Sequence, residues 1–229
     1  MQISDNVNFT NLNKTFKGKY ERTEKSNIYY KSDSATKAGG VLAIFPLVIH
    51  TLDFFKKEVP TSAVNDAKDV KKLKDFYSGF GINAEELVEN LETVQKRQKK
   101  IAIPFAIISS ALTLGCGVLV DYLRNKKAKE TSDKVRMLGV KRAMMQDDNI
   151  ELSRRNAPYY HSNIGTKYGA LLGAICSFAV LGKNMYETSG IKSHNKILSA
   201  VPTIFMFALG GLFMGMIADH NTNKSADRH

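Results

Sequence analysis

Four stretches of this chain are almost free of charge: residues 38–55, 101–123, 168–182 and 197–218. Together they hold 78 residues, and Asp53 and Asp121 are the only charged side chains among them. The chain carries 33 Lys+Arg against 22 Asp+Glu, a net charge of +11, and the remainder outside these stretches holds 53 of its 55 charges. A bilayer's hydrocarbon layer is about 30 Å thick and a helix rises about 1.5 Å per residue, so about 20 apolar residues cross it. The runs 197–218 and 101–120 meet that length unaided. The runs 38–52 and 168–182 are short and need help from their margins: Phe54, Phe55 and Asp53 in the first case, the 163–166 segment or Lys183 in the second. Such a partition excludes a disordered chain and a disulfide scaffold. The competing readings are a water-soluble bundle of unusually apolar helices, or two spans with the two short segments re-entrant or interfacial.

The chain reads as the same unit twice. Tyr29, Tyr30, Ser32, Thr36, Lys37 and Gly39 recur 130 residues later as Tyr159, Tyr160, Ser162, Thr166, Lys167 and Gly169. Pro104, Gly117, Asp121, Asn125 and Lys126 recur 98 residues later as Pro202, Gly215, Asp219, Asn223 and Lys224. The matches follow the same order along the hydropathy profile, which points to a doubled hairpin with a shorter second inner loop. The expected fold is an all-α, integral membrane four-helix bundle. Two tandem transmembrane hairpins form a parallel internal repeat, with short amphipathic helices in the loops.

This division gives a polar, mobile tail at 1–36 and a first hairpin at 37–123 with a helical inner loop at 56–100. A basic helical linker follows at 124–160, then a second hairpin at 161–220 and a tail at 221–229. In the inner loop, Asn83 and Glu86 form a capping signal ahead of an apolar stripe of Leu87, Leu91 and Val94. Lys and Arg number 20 on the side holding the tails and the 124–167 stretch, against 13 opposite. The positive-inside rule then sets both termini in the cytoplasm, in a plasma (inner) membrane. The first 36 residues are polar and are not expected to act as a secretory leader.

Small residues recur every fourth position on the apolar segments. Gly165, Gly169 and Gly173 precede Ser177; Ala35, Gly39 and Ala43 are the first copy's equivalents; Gly211 and Gly215 answer Thr113 and Gly117. In lipid, close backbone approach through small residues is a main source of helix association. These positions are therefore read as helix-packing faces, within the chain or toward a second copy or another membrane protein. Each hairpin also places a lysine at the start of one helix beside an aspartate at the end of the other. Two boundary ion pairs are expected, Lys37 with Asp121 and Lys167 with Asp219, serving either as anchors or as the mouth of a cation or proton path.

The other signals are weaker. Pro46 is expected to kink or break its helix, while Pro104 and Pro202 are assigned to first turns. His50 and Asp53 share a face. Tyr29, Tyr30, Tyr159 and Tyr160 are read as an aromatic belt at the headgroups. Cys116 and Cys176 lie within apolar segments and have no metal-ligand spacing. The five histidines are scattered, and no phosphate loop, nucleophile elbow or metal motif occurs. No cofactor is expected and nucleic acid is not favoured as a partner, since lipid phosphates lie nearer to the basic flanks. Two functions follow: a non-enzymatic membrane assembly or scaffold protein, or a small ion or solute transporter built from the doubled hairpin. A polar cavity reaching mid-membrane separates them, and the only interior hydroxyls are those of Ser109, Ser110, Thr113, Ser177 and Thr203.

Overall fold

A computed structural model describes residues 19–22, 28–55, 71, 75, 86, 89–191 and 196–228. The chain is mostly helical. In order it forms strands β1 (Lys19–Arg22) and β2 (Ile28–Lys31), then helices α1 (Ser34–Phe55), α2 (Leu91–Leu138) and α3 (Val140–Gln146). Strands β3 (Ile150–Leu152) and β4 (Pro158–Tyr160) and helices α4 (Ile164–Glu187) and α5 (Lys196–Asp227) complete it. Four of these helices (α1, α2, α4 and α5) are long and apolar enough to cross a membrane. Their large side chains face outward: Phe45, Phe178, Phe205 and Phe213 are each 60–61% exposed. Apolar surface of that extent is ruinous in water and ordinary in lipid.

The two marginal segments gain length from their polar margins. Helix α1 starts at Ser34 and spans 22 residues, about 33 Å. Helix α4 runs 24 residues by carrying Lys183 at its end, where the ammonium meets the buried Glu187 carboxylate one turn on, at 2.6 Å. Pairing is what makes those charges tolerable at that depth.

Helices α1 and α2 pack antiparallel, as do α4 and α5. A side chain at Gly39 would stand 3.0 Å from the Thr113 carbonyl oxygen, and one at Gly117 would collide with the Ala35 backbone. In the second pair Gly165 abuts Gly215, Gly169 abuts Gly211, and Gly173 abuts the Phe207 carbonyl. Helix α1 stays continuous through Pro46 rather than breaking. A proline loosens the carbonyls of the preceding turn, and the Ser110 hydroxyl donates to one of them, that of Ala43, at 2.7 Å.

Several sequence expectations are corrected. Helix α2 is a single rod of 48 residues, about 72 Å, so neither 100 nor 123 is an element boundary. Leu91 and Val94 are buried in its first turns, and Pro104 lies in its interior, not in a first turn. Pro202 stands seven positions into α5, beyond its first turn. Asn83 and Leu87 lie outside the described residues, as does most of 56–88. Gly139, at φ +77°, ends the rod and turns the chain into α3.

The expected mobile tail and helical linker each contain a two-stranded antiparallel hairpin, β1–β2 and β3–β4. The paired tyrosines lie in β2 and β4. Tyr30 and Tyr159 are not a lipid-facing belt: both are 8% exposed and cluster with Ala226 of α5. A second apolar layer, Ala35, Val120, Ile164 and Ala218, lies one to two turns deeper. Between the two layers stands the polar site.

Candidate functional site

The site forms where the first turns of α1 and α4 meet the flanks of α2 and α5. Helices α1 and α4 begin there, and their first N–H groups lack intrahelical partners. Asp121 of α2 supplies acceptors to the first: Ala35 N donates to Oδ1 at 3.3 Å and Thr36 N to Oδ2 at 2.7 Å. Asp219 of α5 serves the second in the same way, with Gly165 N at 3.0 Å from Oδ1 and Thr166 N at 2.7 Å from Oδ2. The hydroxyls of Ser162 and Thr166 add bonds of 2.8 and 2.9 Å to Asp219. Each aspartate thus caps a helix of its partner in the pair.

One turn further, two asparagines clasp the strands that lead into those helices. Asn125 accepts from Ser32 N at 2.9 Å and donates to Ser32 O at 2.8 Å. Asn223 does the same to Ser162, at 2.7 and 2.9 Å. The same atoms recur in both pairs.

Arg124 joins them. Its guanidinium donates to Asp121 Oδ1 at 2.7 Å and to Asp219 Oδ1 at 3.0 Å, while Nε reaches Ser162 Oγ at 3.0 Å. A fourth bond, 3.1 Å, runs to Ser34 Oγ. Arg124 is 1% exposed and both aspartates 4%. At such burial the charges must balance locally. Two carboxylates contribute −2 and the guanidinium +1; each helix N-terminus is equivalent to about +0.5. The sum is close to zero, so the cluster closes without an added cation.

This arrangement corrects both expected lysine pairs. Lys37 meets Asp33, just ahead of its own helix, at 2.7 Å, and Lys167 is exposed, with its ammonium 5.6 Å from the Tyr168 ring centre. The carboxylates' acceptor positions are filled by backbone N–H groups and a planar arginine fork, which suits two acceptors better than an ammonium does. In the sequence Arg124 stands only as the first basic residue after the 101–123 stretch. The sign that could have found it is its spacing from Asp121, one turn along the same helix face.

The two β-hairpins lie over this clamp. In β1–β2, Tyr29 donates to Glu21 at 3.2 Å and Lys31 pairs with the same carboxylate at 2.9 Å. In β3–β4, Tyr159 donates to Glu151 at 2.7 Å and His161 pairs with it at 2.8 Å. Glu21 and Glu151 extend the 130-residue correspondence eight positions upstream of the tyrosines. Burial raises the Glu151 carboxyl, but the hydrogen bonds from Tyr159 and His161, with the histidine's charge, outweigh it, and the net pKa is lowered. Burial, assisted by nearby Asp147 and Asp219, pushes the Tyr160 phenol up to about 12.

At the opposite end, Arg97 of α2 donates to the carbonyls of Glu187, the last residue of α4, and of Ser189 beyond it. His50 lies 3.4 Å from Asp53, with its ring edge-on to Phe105. Polar contacts therefore tie the two helix pairs at both ends. Between these ties is a cavity of about 420 Å³, walled by all four long helices and almost wholly apolar. Four of the five interior hydroxyls expected from sequence bond to nearby backbone carbonyls: Ser109 to Phe105, Ser110 to Ala43, Thr113 to Ser109 and Ser177 to Ala174. Cys116 and Cys176 face each other across the cavity's back wall, Sγ to Sγ 3.6 Å.

No family model, curated protein or solved structure matches this chain. Among the described residues no group of three or more His, Cys, Asp and Glu is placed to hold a metal ion. The reading of function therefore rests on geometry.

Proposed function

We propose that this is a non-enzymatic integral membrane assembly protein: a duplicated helix hairpin that stays in the plasma membrane as a rigid scaffold, with both termini cytoplasmic. The recurrence of Ser32, Thr36, Asp121 and Asn125 as Ser162, Thr166, Asp219 and Asn223, with matching bonds, supports the duplication. The single observation carrying the scaffold reading is the closed charge of the clamp. A transport site must hold an ion and then release it, whereas here both carboxylates are held by fixed donors. The interior path is correspondingly apolar.

A scaffold also needs surface outside the bilayer. Helix α2 continues 17 residues past Asp121, about 25 Å, and exposes Met137 at its end, with Met145 exposed on α3. Lys126 and Lys127 on the same extension, and Lys141 and Arg142 on α3, are exposed as well. Partners of this surface are expected to be another membrane protein or a second copy.

The test is reconstitution. Liposomes containing the purified protein are expected to pass neither protons nor alkali cations above the protein-free rate. Extraction in mild detergent is expected to yield one discrete assembly heavier than the 25.5 kDa chain. Ion flux that disappears in Asp219→Asn, or a strictly monomeric extract, overturns the reading.

A further inference from the structure

The two helix pairs do not meet evenly. Helices α2 and α4 pack along the junction, whereas α1 and α5 touch sparingly and leave a lateral cleft. Its deep part is the apolar cavity, where Ala38 and Leu42 of α1 face Met214 and Gly210 of α5. At the clamp side it widens into a second hollow of about 640 Å³ that shares Ala38, Leu42 and Met214 with the first. The mouth of that hollow is cationic, with Lys37 at the start of α1 and Lys224 and Arg228 near the end of α5. Lys37 also pairs with Asp33, in an exposed contact at the lining of the hollow. Among the described residues neither Asp nor Glu lines the hollow.

We infer that this cleft binds one anionic phospholipid, its phosphate at Lys37, Lys224 and Arg228 and an acyl chain lying between α1 and α5. The inference rests on the membrane reading above and deepens it. Charge complementarity selects the occupant. Three cations stand within a few turns of the apolar edge, where headgroup phosphates lie, and basic pockets between membrane helices on that side are suited to them. The apolar depth suits a chain and not a solvated ion. Asymmetry supports the choice as well: the matching α2–α4 side, which carries Lys126 and Lys167, is closed by packing.

The experiment measures thermal unfolding of the full chain in neutral detergent while phosphatidylglycerol or phosphatidylcholine is added. Phosphatidylglycerol at about 100-fold above its Kd is expected to raise Tm by about 5 °C or more, and phosphatidylcholine by far less. The shift is expected to vanish in a Lys37→Gln, Lys224→Gln, Arg228→Gln variant. It is expected to persist when Lys126, Lys141 and Arg142 are neutralised instead. Gly210→Leu narrows the cleft; a Cβ built at Gly210 meets nothing within 4 Å, so this variant is expected to fold and to lose the shift. Native mass spectrometry of the wild type is expected to show one retained anionic phospholipid, a readout that needs no variant. Equal shifts with both lipids, or equal losses in both charge variants, overturn the proposal. So does a Gly210→Leu variant that keeps the lipid or that instead dissolves a dimer through this cleft. Ion flux in the reconstituted protein would remove the scaffold reading without touching the lipid result.

Discussion

Arg124 of α2 and Thr222 of α5 stand at matching positions, 98 residues apart, and each reaches into the other helix pair. Arg124 contacts Ser162 at 3.0 Å, and Thr222 contacts Ser32 at 2.9 Å. One carries a charge and the other a hydroxyl. Two arginines would leave the clamp with a surplus positive charge, and two threonines would leave two carboxylates facing one another. A single guanidinium therefore satisfies both carboxylates only if the two halves differ at this position.

Removal of that charge should be costly. Arg124→Gln is expected to destabilise the chain by about 3–5 kcal/mol, because it strands buried carboxylates. Arg124→Lys is expected to recover only part, since an ammonium cannot bridge both aspartates in plane. Adding Asp219→Asn to Arg124→Gln should return some of the loss. Thermal unfolding of the four proteins in one detergent checks the order, and a fully stable Arg124→Gln would refute the clamp.

The glycines divide into two classes by what surrounds them. A methyl at Gly169 or Gly211 would strike the opposing backbone, so Gly169→Ala and Gly211→Ala are expected to force α4 and α5 apart and lower folded yield sharply. Gly115 and Gly182 have nothing within 4 Å. Replacing either by alanine should be neutral, or stabilising by up to about 1 kcal/mol through helix propensity. Yield and Tm of the four variants measure the division.

Much of this architecture is written in the sequence, because uncharged runs of about 20 residues have few other uses and glycine spacing follows the helical period. The 130- and 98-residue correspondences led to Asp121 and Asp219, but not to their partners. Lysine looked right from one dimension: Lys37 and Lys167 lie close to the carboxylates along the axis. Their direction around the helix, and the competing N–H groups at positions 35, 36, 165 and 166, are set by packing. The short strands escaped for a related reason. Residues 19–31 and 149–161 carry no regular alternation, and their pairing is held by Glu21–Tyr29 and Glu151–Tyr159 across the ladder.

The two cysteines give a direct test of how the halves meet. Their sulfurs are 3.6 Å apart, and a disulfide needs about 2.05 Å, a closure within reach of small side-chain and helix shifts. Treating membranes with the lipid-soluble oxidant diamide is expected to join Cys116 to Cys176 within one chain. Peptide mass mapping would detect the linked pair, and Cys176→Ser would abolish it. Absence of the link after exhaustive oxidation would mean that α2 and α4 do not pack as described.

The hairpins should respond to pH in opposite directions. Glu151 has a folded pKa below its unfolded one, so its contribution to β3–β4 is present above the unfolded value and is lost as pH falls through the folded value. Lys31 is raised by its hydrogen bond to Glu21, so its contribution to β1–β2 is present below the ordinary lysine value and is lost as pH rises through the folded one. Both partners are largely exposed, so each effect is local and modest. Amide exchange is expected to accelerate at Ser153 and His161, whose N–H groups bond Ala157 and Asn149 in this region, as pH drops below the carboxylate range. Glu151→Gln should remove that acid response and leave the alkaline loosening of β1–β2 intact. If the two hairpins open together at either extreme, their stability comes from the clamp beneath them and not from their own cross-strand charges.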